Sequence, residues 1–279
     1  MQGLIRDVMA GLDLRAASFI VTVYGDVVVP RGGVLWTGSL IALCARVGIN
    51  ESLVRTAVSR LVAARQISGV RVGRRSYYRL DAQAEREFGR AARLLYAPVE
   101  APRGWQILFA PDLEDEAIRR LRLGRMGGAV YIRPDRGQDI PPGALEFAAA
   151  SPQDIGALAQ FWDLDALNAG YRDMLARFRL LEQEVQGAGL PDDLALVARL
   201  LLVHLYRGVM LRDPRLPDAA LPVDWQGHRA RDLFRRLYLE LTPLADRWTG
   251  AHCEGVAGLL PAETPETTRR IAGLLAARH

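Results

Sequence analysis

The stretch that decides the fold is Asn50–Leu80, which reads NESLVRTAVSRLVAARQISGVRVGRRSYYRL. Its first half repeats apolar residues at helical spacing, and its second half has the pattern of a strand, a turn and another strand. Three arginines surround the glycine of the predicted turn. A winged helix contacts DNA through a helix followed by a basic hairpin, so this stretch predicts a DNA-binding element.

The predicted helix has one face for a protein core and one face for DNA. Asn50 is a good N-cap, and Ile49 and Val54 can form a hydrophobic staple around it. Steps of 100° per residue place the apolar side chains inward, at Leu53, Val54, Ala57, Val58, Leu61 and Ala64. The outward face is short, hydrogen-bonding and cationic, without an acidic residue: Ser52, Arg55, Thr56 and Ser59, with Arg60 on its flank. Such side chains can contact base edges in the major groove, although a solvated polar face has the same composition.

The predicted hairpin supplies a second basic surface. Gly73 at its turn permits a positive φ, which tight hairpin turns require. Arg71, Arg74 and Arg75 then lie at or near the tip, where they can contact backbone phosphates or the minor groove. Tyr77, on the returning strand, completes the predicted DNA-binding set.

The charge of the chain is concentrated at the same end. Residues 1–80 contain eleven arginines and four acidic residues, which gives +7, whereas the whole chain carries only +4. This asymmetry favours a polyanionic partner for the N-terminal part and not for the rest.

Several other classes of protein are disfavoured. The sequence has no run of eighteen apolar residues, so no membrane span is expected. Two cysteines, Cys44 and Cys253, cannot build a disulfide framework, which favours a reducing cytoplasm. Phosphate-binding glycine motifs, zinc-ligand spacing and a nucleophile elbow are all missing from the sequence. We therefore expect no catalytic residue, cofactor or metal.

Two shorter helices are predicted before the deciding stretch. Residues 1–12 have the pattern of a weakly ordered arm. Asp13 can cap a helix that Gly25 ends, and Thr37 can cap a second helix that stops before Gly48. Helix, short turn, recognition helix and basic hairpin thus occur in the order of a winged helix.

The predicted fold class is α+β, mainly helical, with three domains. Residues 1–97 form a winged-helix domain with a linking helix, 98–166 a small ferredoxin-like domain, and 167–279 a helical domain. The central elements are expected at 105–109 (strand), 114–123 (helix), 128–132 and 144–149 (strands), with a helix from Ser151 or Pro152 to Phe161. Helical periodicity continues near 167–187, 192–210, 229–249 and 264–278.

An unusual polar set lies between a helix end and a proline-rich loop. Its members are His204, Tyr206, Arg207, Arg212, Asp213 and Trp225, followed by His228. Arginines in such a place can hold an anionic ligand, so we predict that the first six bind a small-molecule effector. A buried polar network that locks the loop onto the helix is the alternative.

Seven sequence blocks resemble the PaaX family of bacterial transcriptional repressors. In the first third they are YGDVVVPRGG, WTGSLIAL, NESLVRTAVSRL and GRRSYYRL. In the middle they are GWQILFAPDL and WDLDALNAGY, and in the last third VHLYRGVMLRDPRLPDAALPVDWQG. The resemblance spans nearly the whole chain, and its blocks are long and in order.

The resemblance implies a homodimeric repressor of an operon for phenylacetate or related aromatic degradation. Its partners would be double-stranded operator DNA and an aryl-CoA thioester such as phenylacetyl-CoA, which releases the protein from DNA. The central domain is similar to a CRISPR-associated endoribonuclease with an acid after its first strand. Here that strand ends Phe109-Ala110-Pro111-Asp112, and we interpret the domain as a dimerisation module. Two alternatives are an enzyme on nucleic acid or acyl-CoA that a winged helix targets, and a winged helix that contacts protein.

Overall fold

The computed structural model describes residues 2–150, 152–187 and 189–276, apart from the side chains of Gln2 and Gln186. The chain is a mixed α+β protein in which helices predominate, as predicted. It forms two compact units. The first comprises 1–98, 174–207 and 231–279, and the second 99–173 and 208–230. The units follow tertiary contacts and not chain order, and the three consecutive domains stay a prediction.

The N-terminal part of the first unit combines five helices with a small sheet. The helices are α1 (Gln2–Met9), α2 (Ala16–Val23), α3 (Thr37–Ala45), α4 (Glu51–Ala63) and α5 (Ala82–Tyr96). The strands are β1 (Val34–Trp36), β2 (Ile67–Val72) and β3 (Arg75–Leu80), antiparallel in the order β1-β3-β2. The hairpin of β2 and β3 was predicted. Strand β1 was not, because three residues are too few for an alternating pattern.

Helix α4 begins as predicted. The Asn50 side chain accepts a hydrogen bond of 2.9 Å from the backbone N–H of Leu53, and Val54 and Leu61 are buried. The inward face is narrower than expected, however. Leu53 is 51% exposed and Ala64, the C-cap residue, is also exposed. Both lie at the ends of the helix, where the apolar stripe extends past the surface that covers it.

The prediction that residues 1–12 form a weakly ordered arm is wrong. Residues Gln2–Met9 form α1, and Ile5 and Val8 are buried. The Arg177 guanidinium donates hydrogen bonds to the carbonyls of Val8 (3.0 Å) and Ala10 (2.7 Å). Burial of two apolar side chains and this distant cap order a segment that is too short to be a stable helix alone.

The ends of α2 and α3 also differ from the prediction. Asp13 pairs with Arg15 instead of capping α2. Gly25 does not stop the chain either, because a π-helix (Tyr24–Val28) and a 3-10 turn (Val29–Arg31) continue it. Thr37 is the first residue of α3 and not its cap. Its hydroxyl donates to the Ser76 carbonyl (2.6 Å), which ties the helix to the hairpin.

The later helices were predicted well. They are α7 (Leu164–Gly187), α8 (Asp192–Met210), α9 (Gly227–His252) and α10 (Pro265–Ala276). A short hairpin, β8 (Glu254–Gly255) and β9 (Gly258–Leu259), was not predicted, since two-residue strands have no sequence pattern. The last three residues of the predicted final helix span, 276–278, include two that lie outside the described residues.

A buried charge network lies in the core of the first unit. Arg199 bonds Asp26 (Nε to Oδ2, 2.9 Å) and Asp246 (Nη1 to Oδ1, 2.6 Å), and its side chain is 1% exposed. Arg31 also reaches Asp246, at 2.6 Å. The Tyr238 hydroxyl donates to Asp26 (2.9 Å), and burial, then Asp26, raises the pKa of this tyrosine to about 12. These groups come from three separate parts of the chain, so pairing between them fixes α8 and α9 against the segment after α2.

The second unit is built on a four-stranded antiparallel sheet. Its elements are β4 (Gly104–Phe109), α6 (Asp115–Leu121), β5 (Gly124–Gly127), β6 (Val130–Asp135) and β7 (Leu145–Ala149), and the strand order is β5-β6-β4-β7. Helix α6 covers one face, where Leu108, Ile118, Leu123 and Tyr131 form a core. The strand predicted at 128–132 corresponds to β6, which begins at Val130, and the preceding strand β5 was not predicted.

The prediction of an α-helix from Ser151 or Pro152 to Phe161 is also wrong. A 3-10 helix spans Gly156–Phe161, and Ser151, one of the predicted start residues, lies outside the described residues. Leu158 is the buried residue of this segment. One buried side chain does not provide the apolar stripe that stabilises an α-helix.

Candidate nucleic-acid interface and effector region

The predicted reading residues lie together on the exposed face of α4. All five of them are exposed: Ser52, Arg55, Thr56, Ser59 and Arg60. The opposite face of the helix is buried in the core. Within the described residues Arg60 makes no ion pair. The structure therefore brings the five side chains to one surface, as a reading helix requires.

One expectation for this face was wrong, because an acid does lie beside it. Glu51, the first residue of α4, accepts hydrogen bonds from Arg55 Nε (2.8 Å) and Nη2 (2.7 Å). Both side chains are more than half exposed, and such i,i+4 pairs are worth only about 0.3–0.5 kcal/mol. The pair is thus weak enough for Arg55 to exchange Glu51 for a base or a phosphate.

The hairpin presents Arg71 and Arg74 to solvent. The register pairs Val72 with Arg75, so Gly73 and Arg74 form the two-residue turn, and Gly73 has φ 61°. Arg71 donates to the Gly73 carbonyl (3.3 Å), whereas Arg74 has no ion-pair partner in the described part of the chain. The tip therefore carries two cations that are available to an anion.

Arg75 is held by the protein itself. Its guanidinium pairs with the Glu254 carboxylate of β8 and lies 4.6 Å from the centroid of the Trp36 ring. A side-chain hydrogen bond with Tyr77, then the charge of Glu254, raises the pKa of Arg75. Tyr77 itself is 6% exposed, so it positions Arg75 and offers little surface of its own. Sequence reasoning missed Glu254, which is 179 positions away and has no local signal.

Three predicted effector residues lie on α8 in the first unit. The Tyr206 ring is buried and stacks on Phe234, with centroids 4.2 Å apart and planes inclined by 21°. His204 Nδ1 lies 2.9 Å from the Thr22 hydroxyl of α2. Arg207 Nη2 donates to the carbonyl and the hydroxyl of Ser18 on the same helix (3.4 Å each). Tyr206 is therefore a core residue, while His204 and Arg207 lie between α8 and α2.

His204 should make stability depend on pH. Burial, then the charge of Arg207, lowers the pKa of this histidine from 6.5 to about 4. The unfolded chain therefore binds the proton first, and folded stability should fall as the pH decreases from 6.5 to 4, by up to about 3 kcal/mol. Urea unfolding of the wild type and of His204→Asn across this range tests the effect. The variant should lose this part of the slope, whereas His228→Asn, at an exposed site, should keep it; equal slopes in all three proteins contradict the prediction.

The other effector residues lie in the second unit. Asp213 accepts hydrogen bonds from the Tyr171 hydroxyl and from the backbone N–H of Arg215, both at 2.6 Å. Trp225 meets the Tyr171 ring edge to face, with centroids 5.5 Å apart. Arg212 is exposed and donates to the carbonyl of Gly208, one turn back (3.0 Å).

The six residues predicted to bind the effector thus belong to two groups, one in each unit. The network alternative accounts for Asp213 and Trp225, whose partners hold the proline-rich loop to α7. His228, noted with them, pairs at the surface with Asp218 (3.3 Å). Binding of an effector by the six predicted residues stays a prediction.

The sheet of the second unit has an exposed apolar face. Directly opposite residues of antiparallel strands share a face, and the register pairs Phe109 with Leu145 and Ile107 with Phe147. Phe109, Leu145 and Phe147 are 42–59% exposed. Strand β7 is at the edge of the sheet, so within the described residues its outer side has no neighbouring strand. An exposed apolar face beside an open edge is typical of a protein–protein interface.

Comparison with known proteins decides the family. A family profile described as PaaX-like protein matches residues 15–84, which contain the reading helix and the hairpin. A second, described as PaaX-like protein C-terminal domain, matches residues 162–251. Together they cover more than half of the chain. The chain belongs to the PaaX family.

A curated relative covers almost the whole of this PaaX-family chain. The protein is 29% identical over 298 aligned residues to the transcriptional repressor PaaX of Escherichia coli (strain K12). The alignment covers 97% of this chain and 94% of the relative. The relative is named as a regulator and not as an enzyme, in agreement with the expected lack of catalytic activity. Within the described residues, moreover, no helix is long and apolar enough to cross a bilayer.

One solved structure is weakly similar to the PaaX-family chain. It is the uncharacterized protein Rv0674 from Mycobacterium tuberculosis, with 22% identity and a TM-score of 0.48. The similarity covers 75% of this chain and 89% of the other, and it is too low to establish a shared fold.

Proposed function

We propose that this PaaX-family protein is a dimeric repressor of an aromatic, phenylacetate-type catabolic operon. It binds operator DNA in the cytoplasm, and an aryl-CoA thioester such as phenylacetyl-CoA releases it. The observation that carries the proposal is the full-length similarity to a transcriptional repressor, together with exposed arginines on α4 and on the hairpin that follows it.

In this proposal residues 1–97 act as a winged helix. Helix α4 enters the major groove, where Ser52, Arg55, Thr56, Ser59 and Arg60 contact bases and nearby phosphates. Arg71 and Arg74 at the hairpin tip contact the backbone or minor groove. Arg75 does so after exchanging Glu254 for a phosphate, while Tyr77 supports it. Exposure of the first seven side chains supports these roles.

The second unit serves dimerisation in this proposal. The strand order β5-β6-β4-β7, with α6 crossing between β4 and β5, supports a ferredoxin-like assignment. The departure from that fold is at 136–144, which form no helix where a second crossover helix is expected. The exposed apolar face of Phe109, Leu145 and Phe147 then pairs with the same face of a second copy, as two-fold symmetry requires.

A gel-shift assay with the DNA upstream of the protein's own gene cluster tests the function. We expect salt-sensitive, sequence-selective binding to a palindrome whose half-sites are about one or more helical turns apart. Titration with a panel of CoA thioesters should release the DNA with an aryl-CoA and not with free CoA. Equal binding to unrelated DNA, or no release by any thioester, would refute the proposal.

Removal of the tip arginines should weaken DNA binding without changing sequence preference. In the double variant Arg71→Ala/Arg74→Ala, each lost phosphate contact should reduce the slope of log affinity against log salt by about 1 per hairpin. Operator and random DNA should be affected equally, because phosphates carry no sequence information. Arg179→Ala removes an exposed arginine of α7 and is the matched control. An unchanged salt slope in the double variant would assign the hairpin to protein contact.

A further inference from the structure

A cavity of about 50 Å³ lies within the first unit, between the π-helical end of α2, the linking helix α5 and the effector helix α8. Most of its lining is apolar. The lining includes Val21, Gly25, Phe88, Ala92, Val203 and Arg207. The cavity thus lies where the DNA-binding elements, the linking helix and the predicted effector helix meet.

Arg207 is the charged residue in the lining of this cavity, and the part of the chain that the structure describes offers it no counter-ion. Its Nη2 makes two long hydrogen bonds (3.4 Å each), to the Ser18 carbonyl and hydroxyl. Its Nε is buried without a hydrogen-bond partner, and no carboxylate pairs with it among the described residues. Burial lowers the pKa of this arginine. A largely buried cation with an unused donor is costly, and a ligand that brings an acceptor removes this cost.

Phe88 lines this cavity and also a smaller one of about 10 Å³. The second cavity is also lined by Leu61 of α4 and by Ile67 and Leu80 of the hairpin. A cavity of about 150 Å³ is needed to hold benzene, so an aromatic ring does not fit while Phe88 stays in place. The ring of Phe88 has the size of the phenyl ring of a phenylacetyl group, so displacement of Phe88 would free the volume that such a ring needs.

We propose that this cavity is the effector site, where an aryl group takes the place of the Phe88 ring and Arg207 Nε donates a hydrogen bond to the acyl oxygen. The inference rests on the proposed function, since it assigns a place to the aryl-CoA effector. Of the six residues predicted to bind the effector, it retains Arg207 as the contact. Tyr206, Asp213 and Trp225 instead have structural roles, through their contacts with Phe234 and Tyr171.

The site also explains how a ligand loosens DNA binding. Phe88 belongs to α5, which follows directly from strand β3 of the hairpin through the cap at Asp81. Phe88 also lines the smaller cavity together with Leu61, which is on the buried side of α4. A ligand that displaces Phe88 therefore acts on the reading helix and on the hairpin together, and favours the state in which they no longer match the operator.

Two variants and one matched control test the site in the full-length protein. Arg207→Gln removes the charge, and Ala92→Leu fills the cavity. Arg179→Gln makes the same change at an exposed arginine of α7 that belongs to no predicted site. Calorimetric affinity for phenylacetyl-CoA is measured without DNA, and the thioester concentration that releases half of the operator is measured with it.

Arg207→Gln should need about tenfold to hundredfold more thioester than the wild type, as expected for a lost charge-assisted hydrogen bond. Ala92→Leu should also need more thioester, because leucine occupies the cavity, and Arg179→Gln should match the wild type. The midpoint of thermal unfolding should not fall in Arg207→Gln, because no ion pair is lost; Ala92→Leu provides an independent test. The affinity for free phenylacetate is measured in the same way. If Arg207→Gln no longer binds phenylacetate, this result would also support the assignment of the cavity as the effector site. Wild-type behaviour of both variants overturns the inference. No release of the wild type by any thioester refutes the proposed function instead.

Discussion

Replacing Asp26 with alanine is expected to lower the free energy of unfolding by about 3–5 kcal/mol. The change removes the carboxylate that accepts from Arg199 Nε at 2.9 Å and from the Tyr238 hydroxyl at 2.9 Å. The Arg199 side chain is 1% exposed, so water cannot replace the lost partner. Asp246 remains, but Arg31 already shares it. The core then contains a cation that is poorly compensated, which is the costly result of removing one member of a buried pair.

Urea unfolding followed by circular dichroism measures this loss. The matched control is Asp193→Ala, which removes the partner of Arg46 in a surface pair with side chains 39% and 36% exposed. Such pairs contribute about 0–1 kcal/mol, so the control should unfold almost as the wild type does. If Asp26→Ala loses no more than Asp193→Ala, the buried network does not stabilise the first unit.

Replacing Phe147 with aspartate is expected to yield monomers and to weaken operator binding by about 10²–10⁴-fold. Phe147 is 56% exposed and lies opposite Ile107 on the apolar face that we assign to dimerisation. A carboxylate there must be desolvated in a dimer, and two-fold symmetry places it near its own copy. A monomer binds one half-site only and so loses the gain from linking two binding modules, which is of this size.

Sedimentation velocity and the operator gel shift test both parts of this prediction. Val223→Asp is the matched control, because it makes the same apolar-to-acidic change at a fully exposed loop position of the same unit. The control should remain dimeric and bind the operator normally. A dimeric Phe147→Asp protein would assign the interface to another surface, whereas a monomer with undiminished operator affinity would show that repression does not need the dimer.

Local patterns predicted the elements whose causes are local. The Asn50 cap, the apolar stripe through Val54 and Leu61, and the turn at Gly73 all depend on residues within a few positions, so the reading helix and hairpin follow from the sequence. The long helices α7, α8 and α9 were predicted for the same reason. The exposed reading face of α4 was also predicted, apart from Glu51, which was counted only in the net charge of residues 1–80 and not as a partner of Arg55.

Contacts between distant positions were beyond these patterns. Arg31 counted as part of the basic N-terminal charge, yet it is buried against Asp246, 215 positions further on. Helix α1 is ordered through Arg177, and the effector set divided because Asp213 and Trp225 pack on Tyr171. A polar residue has the same letter whether it reads DNA, holds a loop or lines a cavity. Only the tertiary structure distinguishes Arg207, with its unused Nε, from exposed Arg212.

The contact between Arg75 and Glu254 bears on how the DNA-binding part can be studied alone. A fragment that ends after α5 contains the whole hairpin but lacks Glu254, so its tip carries one uncompensated positive charge more than the tip of the intact chain. Its attraction to any polyanion would therefore exceed that of the full protein, and its discrimination between operator and random DNA would be understated. The charge of the hairpin is set partly by residues that the fragment omits.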